Sequence, residues 1–264
     1  MCEVSFPFFN LNFNINNIAF KIGNIDIYWY AIFITLAIFT CLLLCNKDDG
    51  KYGINCEDVL TLAIWVIPIS IISARIYFVI FNLQYYTNHL NELFNIRNGG
   101  IAIYGGIIGG VITVITYCKI KKINFLDMLD YIAPFLPLGQ AIGRLGNFTN
   151  VEAHGTTTDS IFRMGIVENG TYIEVHPTFL YELVLDLFIF VFLYCLRNKR
   201  KFKGEITYLY FIFYGLARFF IEGLRTDSLM LGNFRVSQVL SLVLFVTFGS
   251  IFLYKKKRIV KQDI

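Results

Sequence analysis

The sequence predicts an all-α integral membrane protein with about seven transmembrane helices and a small extracytoplasmic head. Of its 264 residues, 56% are hydrophobic and only 16% are charged, and the mean hydropathy is +0.59. Soluble domains carry about 25% charged residues, so this composition indicates a membrane protein. Two further observations support it: long apolar runs recur along the chain, and lysines and arginines concentrate in alternate connections between them.

The apolar runs define the expected membrane helices, because a spanning helix needs about 20 mainly apolar residues. Seven segments meet this requirement, namely 25–45, 57–81, 100–118, 127–147, 179–196, 205–223 and 236–254. The second segment is long enough to continue into an interfacial stretch near residues 82–95. The fourth contains Pro134 and Pro137, so we expect it to be kinked or partly re-entrant.

The basic residues fix the predicted orientation, since cytoplasmic loops carry excess lysine and arginine. Most of the 23 basic residues fall in 46–56, 119–126, 197–204 and the C-terminal tail. The opposite connections hold only Lys21, Arg97, Arg163, Arg225 and Arg235. We therefore predict a multi-pass membrane protein with its N-terminus outside and its C-terminus in the cytoplasm. The net charge of +4 follows from this topology and gives no reason to expect nucleic acid binding.

The remaining organisation is simple. The first 24 residues lack the features of a cleaved secretory signal, so the first membrane segment is expected to be retained. Residues 148–178 form the longest outer connection and read as a small extracytoplasmic head within one membrane-embedded domain, 1–264. The six cysteines have neither CxxC nor zinc-type spacing, so neither a disulfide framework nor a metal site is expected.

Polar residues inside apolar segments mark the candidate site, because each charged residue there costs roughly 2.5–3.5 kcal/mol. In the stretch AIGRLGNFTNVEAHG, Arg144 and Asn147 are three residues apart and therefore share one helix face. Glu152 follows within a turn or two. Interfacial snorkelling remains an alternative for Arg144 alone.

The sixth segment carries a second polar stripe. In YGLARFFIEGLR, Tyr214, Arg218, Glu222 and Arg225 recur at helical spacing on an otherwise apolar helix. A purely structural ion pair is the alternative for Arg218 and Glu222.

A third polar element, HPTFLYE, opens the fifth segment. It places His176 at the outer interface and Glu182 about one turn inside. All three elements point to the same leaflet.

The third segment begins GGIAIYGGIIGG, where Gly105 and Gly109 form one of two overlapping GxxxG pairs. Close helix packing explains these glycines. Tyr104 either fills the aromatic belt or offers its hydroxyl to a site, and the same two interpretations apply to Tyr30. Arg75 has no matching stripe and reads as a packing or lipid-headgroup residue.

The chemistry of these residues favours a phosphate group as the ligand. No P-loop, HExxH, GxSxG or kinase motif is present. Arginine suits phosphate because its planar fork donates two hydrogen bonds and keeps its charge when partly buried. The phosphate available at this depth is a phospholipid headgroup.

Together these motifs resemble the prolipoprotein diacylglyceryl transferase family over essentially the whole chain. The matching pieces are GGIAIYGGIIGG, GRLGNFTNVE, HPTFLYE and YGLARFFIEGLR, in that order. The resemblance implies transfer of the diacylglyceryl group of phosphatidylglycerol to the lipobox cysteine of a preprolipoprotein, with release of glycerol phosphate and without a metal or nucleotide.

The resemblance also implies roles for single residues. It makes Arg144 and Arg218 the two essential arginines, with catalytic parts for Tyr104 and Glu152. The implied substrate-binding residues are Tyr30, Asn147, His176, Glu182, Tyr214, Glu222 and Arg225.

Three positions depart from the family pattern. Tyr104 stands where many members have a histidine proposed as the thiol base, and tyrosine with an ordinary pKa near 10 is a poor base. Deprotonation then passes to Glu152, His176 or water. His154 and Thr156 replace the usual Trp and Arg.

Two rival functions use the same residues. A transporter or flippase for an anionic lipid or solute would bind its cargo on these arginines, and it predicts an internal repeat. No clear repeat is visible. A non-catalytic receptor or assembly protein predicts lipid binding without turnover.

Overall fold

The computed structural model describes residues 2–95 and 99–262, so Arg97 lies outside the described residues. Nine α-helices are present in this part: α1 (Trp29–Asn46), α2 (Cys56–Phe81), α3 (Leu83–Tyr86), α4 (Ile103–Lys121), α5 (Phe125–Ile132), α6 (Phe135–Asn150), α7 (Thr178–Leu196), α8 (Glu205–Glu222) and α9 (Val236–Gln262). Four short 3-10 turns accompany them, at Pro7–Phe9, Lys51–Gly53, Leu90–Glu92 and Arg197–Lys199.

Eight short strands join these helices: β1 (Cys2–Phe6), β2 (Leu11–Ile15), β3 (Ile18–Ile22), β4 (Ile25–Tyr28), β5 (Met164–Glu168), β6 (Thr171–Val175), β7 (Met230–Leu231) and β8 (Phe234–Arg235). Strands β2, β1, β5 and β6 form one antiparallel sheet in that order, and β3–β4 and β7–β8 are separate hairpins. The prediction of an all-α chain therefore needs correction, because these strands occupy the N-terminus and the connections.

Among the described residues, five helices are long and apolar enough to cross a membrane: Trp29–Asn46, Cys56–Phe81, Ile103–Lys121, and the stretches Thr178–Lys199 and Val236–Ile259. The protein is thus mostly helical with several candidate spans. The predicted fourth segment is two helices instead of one, since α5 ends at Ile132 and α6 begins after Pro134. A proline at this point cannot donate the backbone hydrogen bond that a continuous helix needs.

The chain divides into two compact units, one made of Met1–Leu43 with Ile132–Ile264 and the other of Leu44–Tyr131. In the second unit, α2 packs against α4 through the predicted glycines. A Cβ added at Gly105 would lie 2.4 Å from Tyr77 Cβ, and one at Gly109 would lie 2.3 Å from Ser73 Oγ. The packing interpretation of these two glycines is confirmed.

Arg75 also belongs to the second unit, where it is buried. Its guanidinium donates to the backbone carbonyl oxygens of Leu93 at 2.9 Å and Gly100 at 2.7 Å, and further to those of Glu92 and Gly99. The residue holds the connection between α3 and α4 against α2, which confirms the packing interpretation over the headgroup one.

Two apolar clusters lie among the described residues of the first unit. One lies between α7 and α8 and is made of Ala133, Ile189, Leu193, Ile206, Leu209 and Tyr210. The other joins the four-stranded sheet to the start of α7 and is made of Val4, Met164, Ile166, Val175 and Phe179. The second cluster packs at the N-terminal end of α7, where the polar residues of HPTFLYE begin.

Candidate functional site

Helix α6 presents the first part of the site. Arg144 Nη1 donates to Asn147 Oδ1 at 3.1 Å, and Asn147 Nδ2 donates to Glu152 Oε1 at 2.8 Å. The helix ends at Asn150, and Val151 adopts a left-handed conformation with φ of 52° that caps it. This cap turns the chain so that Glu152 returns to the helix it has just left. The motif around Arg144 is therefore one hydrogen-bonded chain.

Glu182 of α7 is the centre of the site. Its side chain is buried, with one carboxylate oxygen on Arg144 Nη2. The other oxygen, Oε1, lies 2.5 Å from Arg218 Nη1 and 3.4 Å from Arg225 Nη1. A buried carboxylate needs such partners to offset its loss of hydration. One carboxylate thus joins three guanidinium groups from α6, from α8 and from the loop after α8.

Arg218 also contacts its own helix. Its Nη2 atom pairs with Oε2 of Glu222, one turn later, and Glu222 is only 1% exposed. Arg235 in β8 donates to the backbone carbonyl of Glu222. The predicted ion pair on α8 is present, and it is part of a larger cluster through Glu182.

The predicted stripe continues towards the N-terminal half of α8. The rings of Tyr214 and Tyr210 stack with centroids 5.6 Å apart. Tyr210 Oη donates to Gln140 Oε1 at 3.2 Å, which links α8 to α6 below the arginines. The two helices that carry Arg144 and Arg218 are therefore held together by a polar contact as well as by the cluster.

Arg225 has a second partner outside the spanning segments. Its Nε and Nη2 atoms donate to the two carboxylate oxygens of Asp227 at 2.8 and 2.6 Å. This bidentate pair lowers the pKa of Asp227, because the hydrogen-bonded guanidinium favours the charged carboxylate. The pair fixes the orientation in which Nη1 of Arg225 reaches Glu182.

Backbone contacts hold the three polar elements together. Gly155 N donates to His176 O at 2.8 Å, and Thr156 N donates to Leu224 O at 2.8 Å. A Cβ at Gly155 would lie 2.8 Å from both His176 Cβ and Leu224 O. Only glycine allows this approach of the chain after α6 to the start of α7 and the end of α8.

Two predicted residues lie at the border of the cluster. The ring of Tyr30, in the first turn of α1, packs against Gly146, where an added Cβ would lie 2.5 Å from Tyr30 Cδ2. His176 Nδ1 lies 3.3 Å from Tyr181 Oη. His154, at the atypical position, lies with Nδ1 3.3 Å from Gly155 O.

The structure brings most of the predicted site residues together within the first unit. They are Arg144, Asn147, Glu152, Glu182, Arg218, Glu222 and Arg225. Tyr214 lies on α8 with Arg218, His176 precedes α7, and Tyr30 of α1 packs against α6. Tyr104 belongs to the second unit, where it is the second residue of α4 and half-buried. Across residues 2–95 and 99–262, no group of three or more His, Cys, Asp or Glu side chains could hold a metal ion.

The sequence-based site omitted one buried acid. Asp186 lies four residues after Glu182 on α7 and is 2% exposed. The signal was present in YELVLDLF, where two acids share one face of an apolar helix.

The fold and the site define a class: a multi-pass membrane protein in which three chain elements bring guanidinium groups together around a buried carboxylate. The guanidinium groups are suited to binding an anion. A sequence profile described as prolipoprotein diacylglyceryl transferase matches residues 17–254. The chain belongs to this family.

Individual relatives agree over nearly the full length, each called phosphatidylglycerol–prolipoprotein diacylglyceryl transferase. The protein of Finegoldia magna is 46% identical over 249 residues, which cover 94% of this chain and 99% of the relative. That of Clostridioides difficile is 47% identical, covering 86% and 90%, and that of Listeria monocytogenes serotype 4a is 47% identical, covering 90% and 89%. The predicted family, a membrane transferase of lipoprotein biosynthesis, is confirmed.

Proposed function

We propose that this chain transfers the diacylglyceryl group of phosphatidylglycerol to the lipobox cysteine thiol of a preprolipoprotein. The sulfur forms a thioether bond to the glycerol carbon of the diacylglyceryl group, the bond from that carbon to the phosphate oxygen breaks, and glycerol phosphate leaves. The observation that carries the proposal is the convergence of Arg144, Arg218 and Arg225 on Glu182. The names of the relatives state the same lipid and the same class of protein substrate.

Arg144 and Arg218 are assigned to the phosphate. Negative charge grows on the departing phosphate oxygen as the carbon–oxygen bond breaks. Two guanidinium groups in a site of low dielectric stabilise that charge most in the transition state, which is the condition for acceleration. Both arginines are largely buried, with 19% and 15% of their side chains exposed, so their charge is only weakly screened by water.

Glu182 is assigned as the group that holds these arginines before the lipid arrives. Without an anion between them, the guanidinium groups would repel one another in a dry site. Arg144 Nε donates to no partner among the described residues, so this donor is open to a phosphate oxygen. The lipid phosphate then shares Arg144 and Arg218 with Glu182, while Arg225 keeps Asp227 as its partner.

We assign the removal of the proton from the lipobox thiol to Glu152, His176 or water. Glu152 is exposed and ends the hydrogen-bonded chain from Arg144 through Asn147. A carboxylate at this end can accept a proton near the phosphate without displacing an arginine. Tyr30, Tyr214 and Glu222 are assigned to lipid binding around the arginines.

We assign the contribution of Tyr104 to catalysis to a hydrogen bond of its hydroxyl group. The substitution Tyr104→Phe, which removes only that hydroxyl, tests this assignment. We expect the substitution to lower the transfer rate by about tenfold, the value of one hydrogen bond of about 1–1.5 kcal/mol. The measurement is the initial rate of diacylglyceryl transfer to a lipobox peptide. Tyr77→Phe in α2, whose ring stacks on Phe81 at 4.5 Å, is the control and should keep the wild-type rate. Equal rates for both variants would rule out a role for the Tyr104 hydroxyl.

The finer topology is part of the proposal: seven spans in one membrane-embedded domain of the cytoplasmic membrane, with the N-terminus and the 148–178 head outside. Helices α6 and α8 supply the two additional spans beyond the five apolar ones. The hairpin β3–β4 supports an interfacial N-terminus. It exposes Phe20, Ile22 and Ile25, and it leads directly into α1. An isolated hairpin is marginal in water, whereas the bilayer interface covers such a face.

Accessibility of single cysteines in intact cells tests this topology. A membrane-impermeant maleimide should label Asp159→Cys in the head and should spare Lys201→Cys between α7 and α8 until the cells are opened. The opposite labelling pattern would invert the proposed orientation.

One assay tests the proposed reaction. The purified protein is incubated with phosphatidylglycerol labelled in its acyl chains and with a lipobox peptide, and label is sought on the peptide cysteine. Covalent label on the cysteine supports the transferase. Lipid binding without label would indicate a receptor, and movement of labelled lipid across the bilayer of a vesicle without label on the peptide would indicate a flippase.

A further inference from the structure

Asp186 is a buried acid with no partner at one carboxylate oxygen. It lies on the same face of α7 as Glu182, one turn further into the helix, and is 2% exposed. Its Oδ2 atom accepts no hydrogen bond from any residue in 2–95 or 99–262. An ionisable side chain inside a spanning helix is costly to insert and marks function by default. The ion pairs of Glu182 with the three arginines do not include Asp186.

The surroundings of Asp186 determine which of two carboxyl groups carries a negative charge. The groups that act on it electrostatically are Glu182 on its own helix, Arg144 on α6 and Arg218 on α8, and it faces the phenols of Tyr210 and Tyr214 on α8. Two carboxyl groups one helical turn apart in a dry site are not both charged without cost, because like charges repel at low dielectric.

Within this pair, the contacts favour a charged Glu182. Three guanidinium groups contact its two oxygens, whereas Asp186 has no such contact. The proton held by the pair therefore lies on Asp186.

The proposed reaction needs a proton at the phosphate oxygen of the leaving group. When the carbon–oxygen bond breaks, the electron pair stays on the phosphate oxygen, and the phosphomonoester gains a second negative charge. The arginines that hold this phosphate are the ones that contact Glu182. A proton that moves from Glu182 to the oxygen leaves glycerol phosphate with a single negative charge.

We propose that Asp186 is a positioning residue for the transfer reaction, which stores a proton beside Glu182 for the leaving phosphate. The proposal rests on the proposed function. Asp186 gives its proton to the Glu182 carboxylate, and Glu182 passes it on to the phosphate oxygen. Glu182 is therefore an anion before and after the transfer, and Asp186 becomes an anion as well. The proton that the thiol lost to its base returns to Asp186 through solvent before the next turnover.

Leaving-group dependence tests the proposal. Two lipids are compared, phosphatidylglycerol and an analogue in which sulfur replaces the oxygen between the diacylglycerol carbon and phosphorus. A sulfur leaving group is less basic and needs less help from an acid. We expect Asp186→Asn to lower kcat for phosphatidylglycerol by about 100-fold, with KM for the lipid changed by less than about threefold. The loss with the sulfur analogue should be less than about fivefold.

Conservative replacement gives a second readout. Asp186→Glu keeps the carboxyl group and should retain activity within about tenfold of wild type. Ile189→Val, one turn further on the same buried face, is the packing control and should leave kcat for both lipids unchanged. If the Asn variant does not fold, the Glu variant carries the comparison, because its displaced carboxyl should slow transfer from phosphatidylglycerol more than from the sulfur analogue.

The outcomes separate the two proposals. If the wild-type protein places no label on the peptide from phosphatidylglycerol, the proposed function fails whatever Asp186 does. If the wild type is active but the Asp186 variants lose equal activity with both lipids, or lose none, the role of Asp186 as a proton store is overturned while the transferase stands.

Discussion

Replacing Arg218 with alanine is expected to lower the rate of diacylglyceryl transfer by at least about 10³-fold, the upper range for loss of one donor to a developing negative charge. The guanidinium contacts both Glu182 and Glu222. Its removal takes away a phosphate ligand and also leaves two buried carboxylates short of a counter-charge. The rate with labelled phosphatidylglycerol and a lipobox peptide is the measurement.

The Arg218→Ala experiment needs a folding control, because breaking a buried pair costs about 3–5 kcal/mol. Thermal unfolding in detergent reports that loss separately from catalysis, and Arg218→Lys keeps the charge but not the two-pronged geometry. Arg163→Ala is the matched variant, since Arg163 pairs with Glu174 at 2.5 Å where both side chains are about one-third exposed. It should change the rate by less than about twofold. Transfer by a folded Arg218→Ala protein at more than a tenth of the wild-type rate would refute the assignment of Arg218.

Replacing Glu182 with glutamine is expected to have an effect of similar size but of a different kind. The amide removes the anion that three guanidinium groups share. Arg144 and Arg218 lose the partner that holds them in place, so kcat should fall by at least about 100-fold. The same arginines become more available to an anion, so KM for the lipid should stay constant or fall.

The kinetic split distinguishes this role from simple lipid binding. A raised KM with unchanged kcat would mean that Glu182 binds substrate and transition state equally, which contradicts its assignment. Glu174→Gln in β6 is the matched control, because Glu174 pairs with one arginine at the surface. It should leave both kinetic constants unchanged.

The helices could be predicted from the sequence because each apolar run carries its own signal. Six of the predicted segments each overlap one helix, including α8, and the fourth overlaps the two helices α5 and α6. The two prolines near residue 135 predicted the break in the fourth segment, which the structure places between α5 and α6. Such local signals need no knowledge of the partner elements.

The strands could not be predicted in the same way. Strands β1 and β5 pair across more than 150 residues of sequence, and each is only five residues long. The large aromatic and aliphatic residues of the N-terminus are equally typical of an interfacial segment. Pairing between distant short segments is decided by the sheet they form together.

Most residues of the candidate site could be predicted from the sequence, but the residue at its centre could not. Helical spacing identified Arg144 with Asn147 and the stripe containing Arg218, because those patterns are local. Glu182 was expected only as one of several substrate-binding residues, and Asp186 was missed. The spacing of HPTFLYE gives no sign that Glu182 meets arginines from two other elements.

By itself, the sequence determined the membrane character, the helical segments and the residue types available for a phosphate site, since hydropathy and helical period are properties of neighbouring residues. Only the tertiary structure decided that Glu182 joins Arg144, Arg218 and Arg225, and that Asp186 is left unpartnered beside it. Burial in a medium of low dielectric makes these charges depend on partners far away in the chain, and those partners are known only once the helices have packed.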